Sequence, residues 1–152
     1  AELVSERSGV TGEKMEIAYY DKVEAAQVAA YIHMGNKLAT LVGLNKAVDP
    51  QVGFNIAMQI AAMNPVAVDK DFVSQEVIEK ELEIGREQAR NEGKAEELLD
   101  KIAQGKLQKF FKESTLLNQE FVQEGEISVR EYLQKQEKDL TVTSFKRFGL
   151  SN

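Results

Sequence analysis

At 152 residues, 43% hydrophobic and 29% charged, the chain has the size and composition of one globular domain with a real core. A net charge of −6 and a pI near 5.0 argue against a broad nucleic-acid footprint, because gripping phosphates requires a concentrated basic face. With no cysteine and one histidine, His33, disulfides, thiolate catalysis, Cys-ligated zinc and multi-His metal sites are excluded.

Residues 1–14, AELVSERSGVTGEK, are polar and unpatterned and read as a connector from a missing upstream region. Two apolar runs follow, VAAYIHM (28–34) and KLATLVGL (37–44), separated by Gly35-Asn36. In the second, Leu38, Thr40, Val42 and Leu44 share a face by period-two alternation, so the pair predicts a β-hairpin. Asp49 and Pro50 then start a helix over 50–63, as N-cap and first-turn residue, and Asn64-Pro65 stops it. Its stretch FNIAMQIAAMNP carries no charge, and its large apolar groups fall on two opposed faces. Ile56, Ile60 and Met63 form one cluster, Phe54 and Met58 the other beside Ala61 and Ala62, with Asn55 and Gln59 along the seam. Such a helix is covered on more than one side.

Ser74 caps a helix over 75–91, with Val77, Ile78, Leu82, Gly85 and Ala89 on its stripe. Asn91-Glu92-Gly93 breaks it, and a further helix over 94–112 carries Ala95, Leu98, Leu99, Ile102, Gly105, Phe110 and Phe111. The spacing predicts an antiparallel helical hairpin, and its charged outer faces predict that it protrudes. Ser128 caps a short helix to Lys138, and LTVTSFKRF (140–148) reads as a closing strand. The expected class is α+β: an antiparallel sheet of about three strands covered by helices, with a protruding helical hairpin. The expected division is a core of 15–73 and 114–150, with 74–113 as an inserted coiled-coil module.

The motifs of chemistry fail. GVTGEKM (9–15) and GNKLAT (35–40) lack the glycine spacing of a phosphate-cradling loop. His33 has no acid or nucleophile nearby in sequence, and Glu79, Glu81, Glu83, Glu96 and Glu97 belong to solvated helix faces. No catalytic residue, metal site or cofactor is expected. No apolar run approaches the ~20 residues of a membrane span, and no signal peptide is evident, so the reading is cytoplasmic, with neither membrane nor nucleic acid as partner.

The blocks YIHMGNKLATLVGLN, VDPQVGFNIAMQIAAMNP, VSQEVIEKELEIGREQA and GKAEELLDKIAQGKLQKFFKESTLLNQEFV, in that order, resemble the C-terminal part of bacterial elongation factor Ts. Within them, KIAQGKLQKFFKESTLLNQEFV is similar to the second helix of that family's coiled-coil module and the stretch returning from it. IAMQIAAMNP is similar to its partner-facing core helix, and LTVTSFKRFGL to its closing strand. The resemblance covers about residues 15–150. It implies a guanine nucleotide exchange factor that binds elongation factor Tu and promotes GDP release without covalent chemistry. Three departures stand out. The family's ubiquitin-associated-like domain is absent from this chain, and so is the half of the core carrying a Thr-Asp-Phe-Val motif, whose Asp-Phe pair inserts near the GTPase's magnesium. Gln59 stands where some members carry histidine. The implied docking surface is Gly35, Lys37, Leu38 and Ala39 on the hairpin, with Met58, Gln59, Ala62 and Met63 on helix 50–63. The alternative is a structural module that forms a homodimer through the helical hairpin.

Overall fold

The computed structural model describes residues 1–150. Strands β1 (Gln27–Ile32), β2 (Leu38–Leu44) and β3 (Val142–Gly149) form one antiparallel sheet in that order. The hairpin register pairs Ala29 with Val42 and Tyr31 with Thr40, and β3 adds to β2 with Phe145 beside Val42 and Arg147 beside Thr40. Period-two alternation then sets Ala29, Tyr31, Thr40, Val42, Phe145 and Arg147 on one face.

Helix α2 (Pro50–Met63) lies on that face. Its start is determined locally, because the Asp49 carboxylate accepts the Gln51 N–H at 2.8 Å and Pro50 needs no amide partner. Its end is determined by Asn64, which takes a left-handed backbone with φ 44° before Pro65. Two contacts seat the helix. At Gly53 a Cβ would lie 2.7 Å from the Ala29 Cβ, so only a glycine lets the helix approach β1 so closely. At the next turn the buried Thr40 hydroxyl donates to the Ala57 carbonyl at 2.8 Å. Val52, Ile56, Ala57 and Ile60 close the core with Val42 and Leu44, and Leu116, Leu117, Phe121, Val129, Leu133 and Leu140 complete it.

Helices α3 (Gln75–Asn91) and α4 (Leu99–Ser114) pack along each other. Ser74 caps α3 through the Val77 N–H, as its sequence predicts. The start of the second helix differs: Glu96–Leu98 form a 3₁₀ turn and α4 proper begins at Leu99. The seam differs too. Leu99, Ala103 and Leu107, spaced four apart, are buried, whereas Ala95, Leu98 and Gly105 are exposed. Ala103 wins its place because Gly85 faces it, with only 3.0 Å between a would-be Gly85 Cβ and the Ala103 Cα. Arg86 pairs with Asp100 at 2.7 Å and Arg90 with Glu96 at 3.1 Å across the rim. These pairs are solvated and of small energetic worth.

The segments leading into and out of the helical pair run side by side. Leu116 N donates to Ala67 O and Leu117 N to Val68 O, both at 2.9 Å, in a parallel bridge at Ala67 and Thr115. Asp69 clips this junction to the short helix α5 (Val129–Gln136), pairing with Arg130 and accepting the Asn118 amide at 2.7 Å. Helix α5 itself is opened by a capping box between Ser128 and Glu131.

Residues 2–11, expected as unpatterned connector, form a helix α1 (Glu2–Thr11) that ends at Gly12 in a left-handed conformation. None of its residues is buried. After it an irregular segment crosses the other face of the sheet, tied by Asp21 to Lys146 at 2.7 Å and by Tyr19 against Phe148. Among the described residues no helix is long and apolar enough to cross a membrane.

Two expectations follow. Gly53→Ala should destabilise the fold by about 1–3 kcal/mol in urea unfolding, because overpacking against a rigid methyl exceeds the gain in helix propensity, and Ala29→Gly should relieve it. Gly105→Ala, at an exposed helical position with open space around it, should stabilise by about 0.5–1 kcal/mol.

A third concerns pH. Burial alone would raise the Asp69 carboxyl, but hydrogen bonds from Arg130, Asn118 and the Lys70 N–H, with the Arg130 charge, hold it below its ordinary value. A depressed folded-state pKa contributes stability that is full above the unfolded value of about 4 and is lost as pH falls through the folded value. The difference in melting temperature between wild type and Asp69→Asn should therefore be constant near neutrality and shrink below about pH 4. A difference unchanged at low pH would remove Asp69 as the junction's ionised anchor.

Candidate functional site

The expected surface residues sit where β2 starts and α2 ends, and the structure divides them. Leu38, at the start of β2, shares a groove of about 430 Å³ with Met58 and Ala62 of α2. Ala61, Tyr31 and His33 also line it, and Val122 and Gln123 make its wall on the side of the loop that follows Phe121. The His33 ring is held by the Tyr31 hydroxyl at 2.9 Å from Nδ1, and Tyr31 packs edge-on to Phe54. No carboxylate lines this groove, although the chain carries 25 acidic residues.

The other expected residues lie around it or behind it. Lys37 and Ala39, with Leu38, border a separate hollow of about 540 Å³ formed with Ile17, Tyr19 and Phe148. Gly35, with φ 85°, and Asn36, with φ 54°, make the exposed turn between them. Met63, assigned by periodicity to the buried Ile56–Ile60 cluster, is 42% exposed at the end of α2, because the chain leaves the core at Asn64.

Gln59 is the correction that matters. Expected on the docking surface, it is fully buried. Its Nε2 donates to Glu120 O at 3.0 Å and to Gln119 Oε1 at 3.3 Å, while its Oε1 accepts the Val122 N–H at 2.9 Å. A buried amide must spend its donors and acceptor on the protein, and this one spends them on the chain returning from α4. Gln119, also buried, continues the network to Glu113 O at 3.0 Å. The side of α2 that periodicity left open is therefore partly closed from within, by residues 119–122.

Sequence reasoning passed over Val122 and Gln123, which follow the buried Phe121 and have no periodicity of their own. It also passed over Lys70-Asp71-Phe72-Val73, which shares three of four residues with Thr-Asp-Phe-Val. That stretch forms a 3₁₀ turn with Phe72 74% exposed and Val73 buried. Among the described residues no group of three or more His, Asp and Glu side chains is placed to hold a metal ion.

The comparisons with known proteins agree with one another. A family model described as "Elongation factor TS" matches residues 1–152. Elongation factor Ts of Porphyromonas gingivalis is 52% identical over 151 residues, covering 99% of this chain and 55% of the relative. That of Christiangramia forsetii is 47% identical over 149 residues, covering 97% and 54%. That of Bacteroides fragilis is 36% identical over 207 residues, covering 99% and 63%. The chain spans about half the length of the curated relatives it matches.

Burial separates the expected site residues by their cost. Met63→Glu and Ala62→Glu, both at exposed positions, should each change unfolding free energy by less than about 0.5 kcal/mol. Gln59→Met keeps the volume but strands Glu120 O and Val122 N–H, and should cost about 1–3 kcal/mol. Chemical denaturation of the three variants measures this, and equal losses would contradict the burial of Gln59.

Proposed function

The chain belongs to the elongation factor Ts family, and on that premise we propose that it supplies docking surface for elongation factor Tu in guanine nucleotide exchange. The whole-length family match carries this reading. Such a factor binds the GTPase in the cytoplasm and promotes GDP release, with no bond made or broken and no cofactor. The docking surface would be the groove of Leu38, Met58 and Ala62, extended by Gly35, Lys37 and Ala39 on the hairpin and by Met63 at the end of α2. Small residues there permit close backbone approach, methionine adapts to a partner's contours, and the absence of lining carboxylates leaves the surface open to an apolar or acidic partner. The 15–73 and 114–150 core would present it, and the 74–113 helical hairpin would stand off as an inserted module, its two ends held together at Ala67 and Thr115.

Exchange requires tighter binding to the nucleotide-free GTPase than to the GDP form, since equal affinity for both shifts nothing. As the resemblance implies, in the family that difference comes from the Asp-Phe pair of a Thr-Asp-Phe-Val motif in the other half of the core, and no Thr-Asp-Phe-Val sequence occurs in this chain. Docking without strong exchange is the reading that follows. A second reading, self-association through the α3–α4 pair, draws on the half-buried Phe110 and Ile84, which border a hollow with Lys106 and Lys109. Light scattering over a concentration series tests it, and a strictly monomeric mass would remove it.

The expected outcome for the main reading is measurable binding to elongation factor Tu with release of a fluorescent GDP analogue far slower than the full-length factor achieves. Ala62→Glu with Met63→Glu should weaken binding at least tenfold, since a carboxylate pair would be desolvated at an apolar contact. Unchanged binding would displace the docking surface. Release as fast as with the full-length factor would show that this part carries the mechanism, and Phe72→Ala would then decide whether the exposed Asp71-Phe72 turn provides it.

A further inference from the structure

We propose that Gln59 is a positioning residue for the groove, which without touching a partner fixes residues 120–122 so that Val122 and Gln123 stand as its loop-side wall. The proposal rests on reading this groove as the docking surface.

Apart from the apolar packing of Phe121, the wall has few ties to α2. Residues 119–128 belong to no long element. Phe121 N–H donates to Ile127 O at 2.8 Å and Val129 N–H to Gln119 O at 2.9 Å, which closes the loop upon itself. Phe121 stacks on Tyr132 at 4.0 Å and buries the loop's inner side. Phe121 and Tyr132 also share the apolar core with Ile56 and Ile60 of α2, a non-directional contact that keeps the loop near the helix without fixing its backbone edge. The backbone edge itself is tied where the Gln59 amide meets it, donating to Glu120 O at 3.0 Å and accepting from Val122 N at 2.9 Å. A carbonyl and an amide two residues apart on one edge of an extended chain are the groups that a neighbouring strand would engage. Gln59 therefore does with one side chain what a strand partner does with its backbone, and it holds the loop edge to the helix at a single spacing.

The chemistry of the position is narrow. Glutamate would keep the acceptor for Val122 and lose both donors, setting a carboxylate against the Glu120 carbonyl. Methionine would fill the volume and make none of the three bonds. A further tie from α2 to this wall, Gln123 Nε2 to Asn55 Oδ1 at 3.3 Å, lies at the solvent-exposed surface, where water competes for it. Gln119 backs the arrangement from behind, since its amide reaches Glu113 O and, more weakly, Met63 O at 3.4 Å. The ends of α4 and α2 are thereby joined to the same groove wall.

The experiment is a double-mutant cycle in the full chain, read by affinity for elongation factor Tu and by amide hydrogen exchange at Val122. Gln59→Met should accelerate Val122 exchange at least tenfold and weaken binding about tenfold, and Gln59→Glu should fall between it and wild type. In a Val122→Ala, Gln123→Ala background, where the wall is already gone, Gln59→Met should change affinity less than twofold. The same loss of affinity in both backgrounds would overturn the proposal, because a direct contact or general destabilisation acts regardless of the wall. Unaltered Val122 exchange with binding intact would overturn the positioning role alone. Wild-type chain that fails to bind at all would overturn the docking reading, and with it any role for Gln59 in binding, while the exchange data would still report whether Gln59 holds the loop.

Discussion

The seating of α2 on the sheet is the constraint from which the rest of the architecture follows. A would-be Cβ on Gly53 comes within 2.7 Å of the Ala29 Cβ, so the helix lies closer to β1 than any side chain at 53 would permit beside that methyl. The Thr40 hydroxyl then fixes its rotation by reaching the Ala57 carbonyl. With distance and rotation set, Ile56 and Ile60 enter the core, while Met58 and Ala62 turn toward the groove. Close-packed interiors transmit such displacements rather than absorb them. A helix lifted here would alter the floor of the groove and the reach of Gln59 together.

The second organising feature is the junction where the chain leaves the core for α3 and returns from α4. Backbone hydrogen bonds tie 66–68 to 114–117, and the Asp69 carboxylate joins Asn118 and Arg130 around them. A hydrogen-bonded charge with little exposure is costly to leave unpaired, which makes this anchor specific in geometry. Just beyond it, the Gln119 and Gln59 amides carry the same connection across to α2. The helical pair and the groove are thus linked through buried polar groups, whose hydrogen bonds admit few alternative arrangements.

This arrangement suits the proposed role of a docking surface. Its polar interior is spent on holding surfaces in register, with the Tyr31–His33 pair and the Gln59 network bracketing an apolar groove. On the proposed reading, docking is one part of exchange. The other is the differential affinity that separates the nucleotide-free from the GDP-bound partner, and docking surface alone does not create it.

Where local chemistry decides, the sequence alone determined the outcome. Asp49-Pro50, Asn64-Pro65, Ser74 and Ser128 bound their helices because capping and backbone restriction act over three or four residues. Alternation in Leu38–Leu44 and the Gly35-Asn36 turn likewise made the hairpin legible, and with it the α+β class. What tertiary structure alone decided is which side of each element is covered. Gly85 selects Ala103 over Gly105 for the α3–α4 seam by close approach, which no periodicity records. Met63 lies on the core stripe of α2 yet stands exposed, because the core ends one turn earlier. Gln59 reads as polar surface on a helix seam, and it is buried because a segment sixty residues away brings a carbonyl and an amide to meet it. Burial of a polar side chain depends on a partner arriving from elsewhere in the chain, and only the folded structure brings that partner.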